Sequence, residues 1–124
     1  MIDFKNAKFV KLGVADNSEY SSVVVPILVN GEEIIQSFTA IRDGVVFTTK
    51  RIIAINVQGI SGKKKDITSL PYSKIQAFSV ETAGTFDLDC ELDLWFSGLG
   101  SVRFEFTRGA NISAICKMIS DRVL

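Results

Sequence analysis

The sequence has no histidine, and it has only two cysteines and two prolines. Without histidine there is no Ser-His-Asp triad and no Cys-His pair, and most zinc-based catalysis is excluded. The sequence also has no C-x-x-C motif and no G-x-x-x-x-G-K-[ST] phosphate loop. Because no nucleophile motif takes their place, we predict that the protein is not an enzyme and binds no cofactor and no metal.

An excess of charge of one sign and a long hydrophobic run are missing as well. Fourteen Lys and Arg residues balance fourteen Asp and Glu residues. This balance argues against a nucleic-acid partner, since such proteins are usually basic overall. The longest apolar run, residues 23–29, contains Pro26 and is too short to cross a bilayer, and the N-terminus lacks the apolar stretch of a signal peptide. We therefore expect a cytoplasmic protein.

The two cysteines are expected to be free thiols that face the core. Cys90 lies in an alternating strand pattern and Cys116 on an apolar helix stripe. Buried free cysteine behaves as a small apolar residue. A disulfide between them is the alternative, and it would need an oxidising compartment.

The length of 124 residues fits one domain, which we assign to residues 16–124. Residues 1–15 are predicted to be an irregular N-terminal arm. Lys5, Lys8 and Lys11 recur there at every third position. The arm is either a basic amphipathic segment that touches a membrane, or a solvated segment whose aromatic residues pack on the domain or on a neighbouring subunit.

The rest of the chain predicts a mainly β protein. Asp16 and Glu19 have the spacing of a helix start, so we predict a short helix over residues 17–25 that ends near Pro26. Asp43-Gly44 is predicted to be a tight hairpin turn. Seven strands are predicted, at residues 34–42, 45–48, 52–57, 66–70, 75–82, 88–96 and 102–106.

The clearest periodicity lies in the last third of the chain. Even positions from Leu88 to Phe96 are apolar and odd positions carry Asp89, Glu91 and Asp93, which indicates a strand with one buried and one wet face. A period of 3.6 follows, with an N-cap predicted at Asn111. The stripe of this final helix consists of Ile112, Ile115, Cys116, Ile119 and Val123.

This order of elements predicts an α+β, mainly β fold: a seven-stranded antiparallel barrel of two orthogonal sheets, with a short N-terminal helix and a C-terminal amphipathic helix over the open corner. Residues 16–124 resemble the bacterial pleckstrin-homology (PH) domain family. The segments that carry the resemblance are 31–43, 46–51 (VFTTKR), 58–64 (QGISGKK), 71–75 (PYSKI), 78–84 (FSVETAG) and 86–98 around FDLD and LWFSG.

The resemblance implies a PH-like barrel, association into symmetric homo-oligomeric rings and no established catalytic activity. Eukaryotic PH domains grip phosphoinositides with basic residues near the first loops. Here the predicted first turn, Arg42-Asp43-Gly44, departs from that pattern because an aspartate follows its single basic residue.

Two groups of residues are candidate sites. Lys63, Lys64 and Lys65, extended by Lys50 and Arg51, could bind an anion or an anionic lipid surface. The alternative is that the lysine run keeps a sheet edge soluble and that Lys50 and Arg51 are solvated charges at a bend.

The second group is a candidate protein interface. Trp95 is predicted on the wet side of its strand, beside Asp89, Glu91 and Asp93, with Arg103 able to pair across with Glu91 or Asp93. Alternatively, Trp95 is covered by the N-terminal segment or a loop. The row of carboxylates that begins at Asp87 is too flat to converge on a calcium ion.

We therefore predict a non-enzymatic PH-like domain that self-associates and scaffolds a protein partner. The alternative is peripheral binding to anionic lipid head groups through the basic loop.

Overall fold

A computed structural model describes residues 1–5, 9–86, 88–107 and 109–124. The strands are β1 (Gly13–Ala15), β2 (Ile34–Ala40), β3 (Asp43–Thr48), β4 (Arg51–Gln58), β5 (Lys64–Pro71), β6 (Ile75–Glu81), β7 (Cys90–Phe96) and β8 (Gly100–Phe106). The helices are α1 (Ser21–Val24), α2 (Ile112–Val123) and two 3₁₀ turns, Val25–Ile27 and Tyr72–Lys74.

The strands form two antiparallel sheets, a five-stranded sheet in the order β1-β2-β3-β4-β5 and a three-stranded sheet in the order β6-β7-β8. The predicted mainly β fold with a C-terminal helix and a short N-terminal helix is confirmed. The predicted strand count is wrong by one, because β1 was not expected.

The N-terminal segment links the two sheets. The amide of Leu12 donates to the carbonyl of Glu105, and the amide of Glu105 donates to the carbonyl of Phe9, both at 2.9–3.0 Å. The chain then continues as β1 along β2. The prediction that residues 1–15 are irregular is therefore wrong for residues 13–15. A three-residue strand held by residues far along the chain has too little local pattern to predict.

The core lies between the sheets and beneath α2, as the periodicity predicted. The even-numbered side chains of β7 and β8 are buried, and Ile115 and Ile119 of α2 pack with them. Asn111 caps α2, because its Oδ1 accepts a hydrogen bond from the Ala114 amide at 3.1 Å. Cys90 is buried, Cys116 is half-buried, and both are free thiols.

The first hairpin turn lies two residues earlier than predicted. Ala40 pairs with Asp43, so the turn is formed by residues 41–42 and Gly44 lies inside β3. A Cβ at Gly44 would collide with the ring of Tyr20. The hydroxyl of Tyr20 bonds with Thr39 Oγ1 at 2.7 Å and donates to the Asp43 carbonyl at 2.9 Å. Position 44 is therefore occupied by glycine because the ring of Tyr20 needs the space, and not because the chain turns there.

The predicted N-terminal helix is also shorter than expected. Asp16 Oδ1 accepts hydrogen bonds from the amide and hydroxyl of Ser18, which makes a turn and not a helix cap. α1 begins only at Ser21 and passes into the 3₁₀ turn that contains Pro26. The strand predicted from residue 88 begins at Cys90, and Leu88 is exposed.

Candidate interaction surfaces

The outer face of the β6-β7-β8 sheet, called here the sheet face, carries three rows of residues aligned across its strands. The rows are Glu81-Glu91-Glu105, Ser79-Asp93-Arg103 and Ala77-Trp95-Ser101. Each of these side chains is exposed or half-buried, while the residues between them face the core. The predicted interface residues Trp95, Glu91, Asp93 and Arg103 are thus brought together on one surface.

Arg103 holds two of the carboxylates of the sheet face. Its Nε and Nη2 lie 2.7 Å and 3.0 Å from the two oxygens of Asp93, and Nη1 lies 3.3 Å from Glu91 Oε2. The predicted cross-strand pairing of Arg103 with Glu91 and Asp93 is confirmed. The hydrogen bond to Asp93 and the charges of both carboxylates raise the pKa of the Arg103 guanidinium.

Glu91 lies between two further glutamates, Glu81 and Glu105, in its row. Burial raises the pKa of the Glu91 carboxyl, and the adjacent charges of Glu81 and Glu105 raise it further, although Arg103 acts in the opposite direction. Like charges directly opposite each other in a sheet are unfavourable. The sheet face is therefore acidic along this row.

Trp95 lies in the open on the sheet face, with 54% of its surface exposed. It borders a shallow groove of about 140 Å³ whose other side is formed by Ala77 and Ser79 of β6. Among the described residues, neither the N-terminal segment nor a loop covers Trp95, because its ring stays exposed and Phe9 instead packs on Phe104 in the core at a ring distance of 5.8 Å. The predicted wet-side position of Trp95 is confirmed.

Asp89 lies beyond the three rows, with its Oδ2 3.9 Å from the Nζ of Lys11. Asp87 and Lys8 fall outside the described residues. Among the residues that are described, no group of three or more His, Cys, Asp or Glu side chains could hold a metal ion.

The predicted basic residues fall into separate places. Lys63, Lys64 and Lys65 are exposed where β5 begins, and Lys64 pairs with Gln58 at the end of β4. Lys50 immediately precedes β4, so roughly 25 Å separates it from the lysine run at about 3.3 Å per residue. Lys50 and the lysine run therefore do not form one patch.

Arg51 is not the solvated charge that was expected, because its side chain is only 19% exposed and pairs with the buried carboxylate of Glu32. Its Nε lies 2.9 Å from Glu32 Oε2 and its Nη2 lies 3.0 Å from Oε1. The same guanidinium donates to the Ile27 carbonyl and to Ser69 Oγ. These contacts hold the segment before β2 against β4 and β5. Arg51 therefore has a structural role.

The carboxylate of Glu32 is satisfied on every side. It also accepts hydrogen bonds from Thr48 Oγ1 at 2.5 Å and from the Val29 amide at 3.0 Å. Burial alone would raise the pKa of Glu32, but the hydrogen bonds from Arg51, Thr48 and Val29 and the charge of Arg51 lower it below the ordinary value.

Sequence reasoning missed three residues beside the lysine run. Arg42 Nη2 donates to the Gly59 carbonyl, which joins the β2–β3 turn to the β4–β5 loop. Ile41 and Ile60, in that turn and that loop, are fully exposed. We call Ile41, Arg42, Ile60, Lys63 and Lys64 the basic hairpin end. A single isoleucine in each of two turns was the available signal, since apolar residues are rare where the chain reverses.

No helix among the described residues is long and apolar enough to span a membrane.

Two packed antiparallel sheets with a C-terminal helix define a PH-like domain. Residues 3–123 match the model of the bacterial PH domain family. The chain is 47% identical over 96 residues to the uncharacterized protein YjqA of Bacillus subtilis strain 168. The matched region covers 76% of this chain and 77% of that protein. The chain belongs to the bacterial PH domain family.

Two crystal structures of similar proteins agree with this assignment. One is a DUF1696 family protein with a PH domain from Shewanella loihica PV-4, with a TM-score of 0.81, 39% identity and coverage of 93% of this chain and 99% of that one. The other is a PH domain from Shewanella amazonensis SB2B, with a TM-score of 0.67, 42% identity and coverage of 89% and 90%.

Proposed function

We propose that this protein is a non-enzymatic interaction domain that associates with further copies of itself and thereby scaffolds a protein partner. The sheet face is the contact surface. The exposure of Trp95 on the middle strand of a largely polar β surface is the observation that carries the proposal.

An exposed tryptophan on a strand leaves a large apolar area in water, and covering it contributes roughly 25 cal/mol per Å². Tryptophan and arginine are the residue types that most often dominate the binding energy of protein interfaces. Here Trp95 and Arg103 lie on neighbouring strands, and Asp93 fixes the guanidinium of Arg103. The balanced net charge adds no repulsion between copies.

The test is the molar mass of the wild-type chain and of Trp95→Ala, measured by light scattering after size exclusion. We expect wild-type oligomers and a smaller mean mass for Trp95→Ala at the same concentration. Ile60→Ala is the matched control, since it removes an apolar side chain that is even more exposed than Trp95 and lies away from the sheet face. An unchanged mass for Trp95→Ala would contradict the assigned surface.

A second candidate function, binding to an anionic membrane surface, is favoured by the basic hairpin end. Ile41 and Ile60 are fully exposed there beside Arg42, Lys63 and Lys64. Apolar side chains can enter the head-group region while lysines contribute about 1 kcal/mol each near a charged surface.

Sedimentation with phosphatidylserine vesicles tests this second candidate, with phosphatidylcholine vesicles as the reference. We expect binding at low salt that weakens at high salt, and loss of binding in the double variant Ile41→Ser/Ile60→Ser. Trp95→Ala should bind as the wild type does. No sedimentation with phosphatidylserine at low salt would overturn the membrane function and leave self-association standing.

A further inference from the structure

The sheet face carries more negative than positive charge on its strands. Glu81 is exposed at the end of β6 and lies directly opposite Glu91 of β7, and Asp93 follows two positions along β7. Arg103 of β8 contacts both Asp93 and Glu91, and it is the one cation among the described outward residues of β6, β7 and β8. The three carboxylates outnumber this cation, so the surface attracts positive charge.

The two glutamates at one end of the sheet face repel each other. Burial raises the pKa of the Glu91 carboxyl, and the charge of Glu81 and its hydrogen bond with Glu91 raise it further, while Arg103 lowers it. Like charges directly opposite one another in a sheet are unfavourable. A positively charged group beside Glu81 and Glu91 would relieve this repulsion.

Trp95 gives the other end of the sheet face an aromatic surface. Its ring is 54% exposed and borders the groove formed with Ala77 and Ser79 of β6. The cation of a lysine or arginine is attracted to the face of a tryptophan ring. Ala77, Ser79 and Glu81 are successive outward residues of β6, so small side chains lead along this strand from Trp95 to Glu81.

The spacing of the two ends fits an extended chain. Ala77 lies opposite Trp95, and four residues separate it from Glu81, which amounts to about 13 Å at roughly 3.3 Å per residue. In an extended segment, two side chains four residues apart point to the same side at that same distance. Two cations placed in this way reach the ring of Trp95 and the carboxylate of Glu81 together.

We propose that the sheet face binds a lysine- or arginine-rich segment of another protein, with one cationic side chain over the ring of Trp95 and a second beside Glu81 and Glu91. The inference goes beyond self-association, because it names the chemistry of the protein partner. Nucleic acids and anionic membranes have the wrong charge for this surface. The sheet face of a second copy is acidic as well, so it is repelled.

The partner segment and a second copy compete for the sheet face in the proposed oligomers. The basic hairpin end of a neighbouring copy offers similar charges, since Arg42, Lys63 and Lys64 are exposed there. A partner segment in excess should therefore replace the neighbouring copy on this surface.

Decalysine is the probe, added in excess to the full chain. Trp95 is the sole tryptophan of the sequence, so its fluorescence reports on the sheet face directly. We expect a saturable change in the emission of Trp95 at low salt, and a weaker effect at high salt because salt screens exposed charges. Decaglutamate has the same length and the opposite charge, and it should leave the emission unchanged.

Paired charge variants test the assigned surface. Glu81→Gln/Glu91→Gln should weaken the binding of decalysine by about threefold to tenfold, since two partly solvated ion pairs with the probe are lost. The matched control is Glu33→Gln/Asp121→Asn, which removes the same charge from exposed positions away from the sheet face and should bind as the wild type does. Trp95→Ala, followed by calorimetry, should also bind more weakly, because one cation then lacks the aromatic ring.

The outcomes are separate from those of the self-association test, which is made without the probe. An oligomeric wild type whose Trp95 emission does not respond to decalysine at low salt overturns the basic partner and leaves self-association standing. A monomeric wild type that binds decalysine, with a loss of affinity in Glu81→Gln/Glu91→Gln alone, overturns self-association and supports the basic partner. Equal affinities of the two double variants would mean attraction by net charge only, which overturns the assigned surface.

Discussion

Glu32 shows how one buried side chain fixes a whole segment. Its carboxylate binds Arg51, Thr48 and the Val29 amide, which joins the loop before β2 to the β3–β4 corner. Breaking such a pair leaves the partner charge partly buried without compensation. We therefore expect Glu32→Gln to lower the free energy of unfolding by about 3 kcal/mol, measured by urea denaturation at neutral pH. If Glu32→Gln lowers the free energy of unfolding by less than an ordinary surface substitution does, the structural role of Arg51 is contradicted.

The lowered pKa of Glu32 also predicts a pH dependence of stability. A carboxyl whose pKa is lower in the folded state contributes its stability above the ordinary value of 4.5, and that stability is lost as the pH falls through the folded-state value. The wild-type free energy of unfolding should therefore fall steeply below about pH 4.5. The slope of Glu32→Gln should be shallower in the same range.

Glu91 is expected to respond with the opposite sign. Its pKa is raised in the folded state, so its ionisation opposes folding as the pH rises through the ordinary value of 4.5 and beyond. Glu91→Gln should be neutral or slightly stabilising at pH 7, by a few tenths of a kcal/mol, since the side chain is partly solvated. Paired urea titrations of Glu91→Gln and Glu32→Gln at pH 7 check the contrast, and a clear destabilisation by Glu91→Gln would contradict it.

Residue positions were predictable where local alternation decided them. The outward positions of Trp95 and Arg103 follow from the alternation of apolar and polar residues along β7 and β8 alone. Arg51 could not be placed in this way, because its partner Glu32 lies nineteen positions earlier in a loop. A lysine-arginine pair at a bend has the same local pattern whether its charge is solvated or held by a buried carboxylate.

At the level of elements, the packing of Tyr20, the residue before α1, on β3 depends on the absence of one methyl group. Gly44 leaves room for the ring of Tyr20, which is tied to Thr39 and the Asp43 carbonyl. We expect Gly44→Ala to cost about 1–3 kcal/mol through overpacking, measured by urea denaturation. The cost should shrink in a Tyr20→Ala background, since the clash is then removed. Equal costs in both backgrounds would mean that Gly44 matters for another reason.

The elements with a clear period were predicted well, and the others were not. β7, β8 and α2 were predictable because their apolar residues recur with a period of 2 in the strands and 3.6 in the helix, over seven or more residues. β1 has three residues and depends on a partner strand more than twenty positions away. The first turn was predicted at the wrong position because Asp-Gly is a strong turn signal. Gly44 is in fact needed to make room for the ring of Tyr20, a contact that the spacing of residues in the sequence does not reveal.

The whole molecule has zero net charge, but its acidic and basic residues are concentrated on different surfaces. The sheet face is acidic and the basic hairpin end lies at the far end of the β4–β5 hairpin. Such a distribution suits contacts between unlike surfaces of successive copies, because complementary charges guide the encounter while like surfaces repel. The mainly β architecture was predictable from the order of the elements. Which strands lie at the edges of the two sheets, by contrast, depends on strand order in space.

Sedimentation velocity of the wild-type chain over a range of micromolar concentrations tests self-association most directly. The account predicts a dominant species with a mass several times the 13.6 kDa of one chain, present from the lowest to the highest concentration. A single species of 13.6 kDa throughout that range would contradict it.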